Sequence, residues 1–318
     1  MAPIKIPTFT LARTGDKIPA VGFGSGTKHR IRKQSTPGLG MQVRDDEITN
    51  VIVSAIDSGF SHLDTAESYL TRIEVGDAVE KSGIDRSKLW ITDKWDQGWV
   101  LGGQTYPSHS PSGPYESLKE GLKLLKTDHV ELFLIHGPFF TKETSNITIE
   151  EAWKQMEQLV DEKLTRNIGV SNFDIEWLEK ILKVCKYKPQ VNQIEYHLYL
   201  QQEPVVEFCR KHEILIEGYS PLTPIRPEKF SKDVNPLKPV VEELSKKYNV
   251  DPSLLLLRWV YQSGVLPITT SSNPERQRNT FKFFDFKIDP EDFDRLKSVG
   301  QSVHFRGNLA EQLEKNKN

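Results

Sequence analysis

Short apolar runs alternate with longer amphipathic ones about eight times along this 318-residue chain, and no other feature limits its fold as much. Val21 to Gly24, Ser61 to Asp64, Leu89 to Asp93, Val130 to Ile135, Thr165 to Val170, Val191 to Glu195, Ile214 to Gly218 and Leu266 to Ile268 read as strands. Asp45 to Ser58, Ile73 to Lys81, Pro114 to Leu125, Thr148 to Glu162, Ile175 to Lys183, Pro204 to Lys211, Pro239 to Tyr248 and Pro252 to Gln262 read as helices. A last helix starts near Pro274. Strands separated by helices pair in parallel through right-handed crossovers. The strands are rich in Val, Ile and Leu with little alternation, as expected when both faces are covered. Eight such units predict an α/β fold, a closed (β/α)8 TIM barrel in one domain spanning residues 1–318. A doubly wound sheet carries Gly-x-Gly-x-x-Gly after its first strand. Gly22-Phe23-Gly24-Ser25-Gly26-Thr27 lacks the third glycine and any predicted helix directly behind it.

Departures from the even repeat mark where a site belongs. Phe9 to Lys17, turning at Thr14-Gly15-Asp16, reads as an N-terminal β-hairpin. Lys28 to Arg44, Asp96 to Gly113 and Thr223 to Pro236 are long Gly-, Pro- and Ser-rich loops, each after the C-terminal end of a strand, where barrel enzymes build their sites. Gln301 to Asn318 is a polar tail with helical character at Leu309 to Lys315.

The formal charge of −2 points to neither nucleic acid nor an anionic membrane as partner, and the apolar runs are too short to span a bilayer. The N-terminus lacks the apolar core of a signal peptide. Cys185 and Cys209 make no disulfide framework and read as small buried or half-buried thiols on helices. A soluble cytoplasmic protein, monomeric, acting on a small molecule is the expectation. No metal site is expected: there is no His-Glu-x-x-His, no Cys pair with metal spacing and no Gly-x-Ser-x-Gly elbow.

Four polar residues stand at successive strand ends: Asp64, Tyr69 five residues further on, Lys94 and His136. Singly, each has a bland explanation in packing, solvation or a backbone hydrogen bond. Together, on the catalytic face of one barrel, they suit a specific chemistry. Reducing a carbonyl by hydride requires a proton for an oxygen becoming an alkoxide. A free phenol, with a pKa of about 10, is a reluctant donor at neutral pH. A neighbouring ammonium stabilises the phenolate, and a carboxylate keeps that ammonium charged. Asp64, Lys94 and Tyr69 supply that chain, and His136 orients the carbonyl. Trp95, Trp99 and Tyr106, in or beside the loop after strand three, are either satellite packing or the substrate pocket, with Trp95 carried forward as a substrate contact. His62 and His197 read as structural.

Five segments resemble the aldo-keto reductase superfamily: Gly59-Phe60-Ser61-His62-Leu63-Asp64-Thr65-Ala66-Glu67-Ser68-Tyr69, Asp128 to His136, Gly169-Val170-Ser171-Asn172-Phe173, Gln190 to His197, and Tyr219-Ser220-Pro221-Leu222. Gly22 to Thr27 and Ser271 to Arg276 extend the likeness over nearly the whole chain. The resemblance implies a nicotinamide cofactor bound without a Rossmann domain and the tetrad Asp64, Tyr69, Lys94, His136, with Tyr69 and His136 also touching substrate. It implies that Ser171, Asn172 and Gln193 hold the carboxamide and that Tyr219 stacks on the nicotinamide. It places Ser220, Leu222 and Ser271 around the pyrophosphate, and Arg276 on the adenosine 2′-phosphate. Gly26, Thr27, Lys28, Asp64, Thr270 and Asn279 complete the expected cofactor contacts. A guanidinium suits a phosphate through bidentate geometry, which favours NADPH over NADH.

Three departures qualify the likeness. Thr270 stands where the family usually has a lysine, and Asn279-Thr280 where it has Glu-Asn near the adenine. His136-Gly137-Pro138 replaces His-Trp-Pro, removing an indole beside the substrate. Gly24 to Lys28 and the Thr-Thr-Ser run resemble a fungal subgroup reducing conjugated polyketones, ketopantoyl lactone and α-keto amides. The alternatives are an aldose- or xylose-type reductase and an NADPH-binding regulatory protein used as a redox sensor; the intact tetrad speaks against the latter. The basic run Lys28-His29-Arg30-Ile31-Arg32-Lys33 reads as a solvated loop face, the alternative being that Lys28 reaches the cofactor phosphates.

Overall fold

The computed structural model describes residues 6–141, 143–226 and 235–314. Its strands in chain order are β1 (Thr8–Thr10), β2 (Lys17–Pro19), β3 (Gly22–Gly24), β4 (His62–Asp64), β5 (Trp90–Trp95), β6 (Trp99–Leu101), β7 (Gln104–Tyr106), β8 (Val130–Ile135), β9 (Thr165–Ser171), β10 (Val191–Glu195), β11 (Leu215–Tyr219) and β12 (Leu266–Thr269). Eight of them, β3, β4, β5, β8, β9, β10, β11 and β12, close into a parallel barrel in that order, with β12 returning to β3. This is the (β/α)8 architecture expected from the alternation of runs. The antiparallel hairpin β1–β2, pairing Phe9 with Ile18, precedes it.

Two apolar layers follow from the pleat. Trp90, Leu132, Leu134, Val191, Leu266 and Ile268 cluster with Leu11 and Ile18 of the hairpin, so the hairpin joins the barrel's own apolar filling. Intervening residues such as Ile91, Phe133 and Ile135 pack outward against the helices. Several helix starts are fixed by the side chains the sequence offers there. Asp45 accepts from the Glu47 and Ile48 amides, Thr148 and Glu151 form a capping box, and Asp174, Asp251 and Asn273 cap the helices that follow them.

Three elements were not expected. Lys28–Ser35 is a helix, directly after Thr27 and within a stretch read as loop. It has no apolar stripe to announce it; Lys33 anchors it, its ammonium buried 2.6 Å from the equally buried Glu74 carboxylate. The basic run is therefore not a solvated loop face throughout. Within Asp96 to Gly113, β6 and β7 pair as a second hairpin. The helix Pro290–Gln301 follows the one at Pro274–Thr280, which is therefore not the last. In the tail, Ala310–Glu314 is helical; Lys315 and the middle of the Thr223 to Pro236 loop, residues 227–234, lie outside the described residues. Among the described residues no helix is long and apolar enough to cross a membrane.

Candidate active site

Parallel strands bring all their C-terminal ends to one rim, and the predicted residues gather there. Asp64 ends β4, Lys94 is the penultimate residue of β5, His136 follows β8, Asn172 follows β9 and Tyr219 ends β11. Tyr69 closes a short 3-10 turn, Glu67–Tyr69, whose end is Leu70 in the left-handed region (φ 62°).

Lys94 is fully buried and donates to both Asp64 oxygens at 2.7 Å and to the Thr65 carbonyl at 2.9 Å. Its Nζ also lies 5.0 Å from the centre of the Tyr69 ring. Burial lowers the Lys94 pKa, but the Asp64 and Tyr69 charges and the Asp64 hydrogen bond outweigh it, so the ammonium stays charged. Tyr69 Oη is 3.5 Å from His136 Nε2, and Ser68 Oγ is 3.2 Å from Nδ1. A Ser68 hydroxyl donating to Nδ1 leaves the ring proton on Nε2, facing Tyr69. His136 sits well below its ordinary pKa, first through burial and then through the Lys94 and Arg30 charges, so it is a neutral imidazole at neutral pH.

The phenol differs from expectation. The neighbouring ammonium is expected to lower the Tyr69 pKa, and Lys94 does pull it down; burial, helped by the Asp64 charge, pushes further the other way. Tyr69 at neutral pH therefore holds its proton. That suits a donor, with Lys94 placed to stabilise the phenolate once the proton has left.

Trp95 corrects another expectation. It is fully buried, donates its indole N–H to the Ser110 carbonyl at 3.1 Å and packs on Phe140 at 5.7 Å. Successive strand residues face opposite ways, so with Lys94 pointing into the barrel Trp95 must point out toward the helices. Trp99, on β6, comes edge-on to His136 with ring centres 5.4 Å apart, and lies 5.5 Å from Phe139. Aromatic bulk beside the histidine thus comes from the second hairpin in place of the indole absent at Gly137, a position where a Cβ would meet the Phe139 ring at 3.0 Å.

A buried ion network ties the Tyr69 turn to β5. Arg72 pairs with Asp93 at 2.9 Å and donates to the Lys94 carbonyl at 3.3 Å, while Glu67 accepts the Asp96 amide at 3.0 Å. Of these residues only Glu67 falls within a motif segment, which assigns it no role; charged residues flanking the tetrad were the available signal.

The cofactor candidates line the same rim. Gln193 donates to Asp64 Oδ2 (2.8 Å) and to Glu217 Oε2 (2.7 Å), so its own carbonyl oxygen is the group left to accept from a carboxamide. Asn172, left-handed at φ 63°, donates to the His136 carbonyl (2.9 Å) and accepts from Tyr219 Oη (2.8 Å), fixing the Tyr219 ring. Ser171 donates to the Gln193 backbone carbonyl at 2.8 Å. Ser220, also left-handed, is 3.3 Å from the Asn308 amide of the tail, and Leu222 is half-buried. Glu195, which sequence reasoning missed, holds that tail by accepting the Gly307 and Asn308 amides at 3.0 and 2.8 Å.

On the rim's other side, Lys28 Nζ reaches across to Ser272 Oγ at 2.6 Å, beside Ser271 and Thr270. Thr270 Oγ1 is buried with no hydrogen-bond partner among the described residues. Arg276 and Asn279 sit on the helix Pro274–Thr280, Arg276 exposed and Asn279 half-buried. Gly26 presses so close to Tyr69 that a Cβ there would meet the ring at 2.9 Å, and Thr27 (φ 52°) turns the chain into the helix Lys28–Ser35. His62 is buried in the barrel, 2.9 Å from Thr92 Oγ1, and His197 is buried 3.2 Å from Glu195. Among the described residues no group of His, Cys, Asp and Glu could hold a metal ion.

Comparison with known proteins agrees with this geometry. The aldo/keto reductase family pattern matches residues 26–301. An NADPH-dependent alpha-keto amide reductase of Saccharomyces cerevisiae is 39% identical over 92% of this chain and 90% of its own length. An NAD/NADP-dependent indole-3-acetaldehyde reductase of Schizosaccharomyces pombe is 36% identical over 93% of this chain and 96% of its own length. The crystal structure of a Bombyx mori aldo-keto reductase in complex with NADP superposes with a TM-score of 0.78 at 27% identity, covering 93% of each chain.

Proposed function

The chain belongs to the aldo/keto reductase family, and we propose that it reduces activated ketones and aldehydes to alcohols with NADPH, taking the proton from Tyr69. The observation that carries the reading is the Lys94 ammonium, chelating both Asp64 oxygens at 2.7 Å and lying 5.0 Å from the Tyr69 ring.

The rim suits the cofactor: a Gln193 side-chain carbonyl with no other duty, the Tyr219 ring held by Asn172, the orphaned Thr270 hydroxyl, and the cations Lys28 and Arg276 on the same side as that hydroxyl. Ser171, Asn172 and Gln193 would hold the carboxamide, Ser220, Leu222 and Ser271 the pyrophosphate, and Arg276 with Lys28 the 2′-phosphate. When bound, NADPH supplies the hydride for the carbonyl carbon. The protein's part is the oxygen. His136, neutral, donates from Nε2 to the carbonyl oxygen and orients it. Tyr69 gives its proton to the same oxygen as negative charge develops there, and the Lys94 ammonium offsets the phenolate left behind. Asp64 keeps Lys94 charged, and the Arg72–Asp93 pair holds β5 against the Tyr69 turn.

For the substrate we favour vicinal dicarbonyls such as conjugated polyketones, ketopantoyl lactone and α-keto amides, a reading supported by the likeness to the yeast alpha-keto amide reductase. NADPH turnover with a cyclic diketone and with an aldose tests it. Faster turnover of the diketone is expected. Preference for the sugar would move the protein to the aldose-reductase type.

A further inference from the structure

The two-residue period of β11 turns Leu215, Glu217 and Tyr219 to one face, the inside of the barrel. Leu215 and Tyr219 pack against the apolar filling there, and between them stands a carboxyl with no exposure to solvent. One of its oxygens, Glu217 Oε2, accepts from Gln193 Nε2 at 2.7 Å. The other, Oε1, is buried with no hydrogen-bond partner among the described residues. A carboxyl left half-satisfied beside an apolar layer costs stability that a leucine would not. What it contributes in return lies at its one partner, Gln193.

Gln193 is paired in register with Glu217 on the neighbouring strand, so the two side chains enter the barrel at one level. The Gln193 amide nitrogen carries two hydrogens and uses both, one on Asp64 Oδ2 at 2.8 Å and one on Glu217 Oε2. With a single acceptor the amide could swivel about that hydrogen bond. Two acceptors fix its plane, and a flipped amide would set its own oxygen against both of theirs. The direction of the Gln193 side-chain carbonyl is thereby set. Glu217 can share this donor with Asp64 because burial, and then the Asp64 charge, push its pKa up to about 8 and leave it mostly neutral at pH 7.

We propose that Glu217 is a positioning residue, clamping the Gln193 amide so that its carbonyl selects a nicotinamide whose carboxamide offers an N–H. The inference rests on the carbonyl-reductase reading, with Gln193 assigned to the carboxamide, and adds the group that aims Gln193. Glu217 takes no part in hydride or proton transfer; its effect passes through Gln193.

The test compares NADPH with its reduced 3-acetylpyridine analogue, in which an acetyl group replaces the carboxamide and brings no N–H. Kd for each is read from quenching of tryptophan fluorescence, with urea unfolding to establish that each protein is folded. The proteins are the wild type, Glu217→Leu, Glu217→Val, Glu217→Gln, Gln193→Met, and Gln193→Met combined with Glu217→Leu. The wild type is expected to favour NADPH on the order of 10-fold, because the analogue leaves the Gln193 oxygen unpaired. Glu217→Leu and Glu217→Val should lose that preference, and either suffices if the other does not fold. Glu217→Gln keeps an acceptor oxygen and should retain most of it. Gln193→Met should lose it too, and adding Glu217→Leu should then change nothing further. A folded apolar variant that keeps the wild-type preference, even with both affinities lowered together, makes Glu217 merely structural and overturns the proposal. A Glu217→Gln protein with no preference overturns it as well. A wild type that binds both cofactors equally overturns the assignment of Gln193 to the carboxamide and this proposal with it. A wild type that does not bind NADPH overturns the carbonyl-reductase reading itself.

Discussion

Replacing Arg276 with alanine should separate the two nicotinamide cofactors. Arg276 lies in the first turn of the helix Pro274–Thr280, its amide donating to the capping Asn273 side chain at 2.9 Å, and its guanidinium is exposed. Thr270 brings no charge, so the 2′-phosphate is assigned to Arg276 and to Lys28, bonded to Ser272 nearby. A hydrogen bond to a charged group contributes about 1.5–3 kcal/mol, and water competes at an exposed site, so the lower end applies. One tenfold step is about 1.4 kcal/mol, which sets the expected loss of NADPH affinity near 10-fold. NADH lacks the phosphate and should bind almost as before. Quenching of tryptophan fluorescence, titrated with each cofactor on wild type, Arg276→Ala, Lys28→Met and the double variant, measures this directly. The double variant should lose more than either single one, and Thr270→Lys should tighten NADPH alone. Equal weakening toward both cofactors in Arg276→Ala would show that the side chain is structural and refute the reasoning. An unchanged preference in all three variants would refute the assignment of both cations.

Two further perturbations probe the buried charges. Lys94→Met leaves Asp64 buried without its cation, so equilibrium unfolding in urea should show a loss of about 3–5 kcal/mol, with part recovered by adding Asp64→Asn; unchanged stability would contradict the pairing. Glu217 rises on folding from its ordinary carboxylate value to about 8, so the native state binds the proton more tightly than the unfolded chain. Its contribution to stability is complete below about pH 4.5 and is lost as pH rises through about 8. Glu217→Gln should therefore flatten the decline in stability between pH 5 and pH 8.5, and an unaltered slope would mean another group causes it.

What the sequence made legible followed from simple geometry. Asp64, Lys94 and His136 are polar residues at the ends of apolar runs, and parallel strands must bring such ends to one rim. The barrel itself followed from counting the alternation. Trp95 reads in the sequence as lying in or beside the loop after strand three; it is instead the last residue of β5, where the two-residue period of a strand turns it to the face opposite Lys94. For Trp99 the sequence left packing and pocket equally open: it lies on a three-residue strand in a Gly- and Ser-rich stretch, with no periodicity to place it. The helix Lys28–Ser35 was missed because what anchors it is a buried Lys33–Glu74 pair between residues 41 apart in sequence, not an apolar stripe. The Tyr69 pKa needed the fold as well, since the sequence names the ammonium but not the burial opposing it.

The central claim is that the Tyr69 hydroxyl delivers the proton, and removing that one atom with Tyr69→Phe tests it most directly. The ring stays to fill its place against Gly26 and His136, so NADPH affinity, read by fluorescence titration, should be nearly unchanged. General acid assistance typically contributes roughly 10²–10⁴ in rate, and kcat for a dicarbonyl substrate should fall by that order. A Tyr69→Phe protein that binds NADPH normally and turns over with the wild-type kcat would contradict the account.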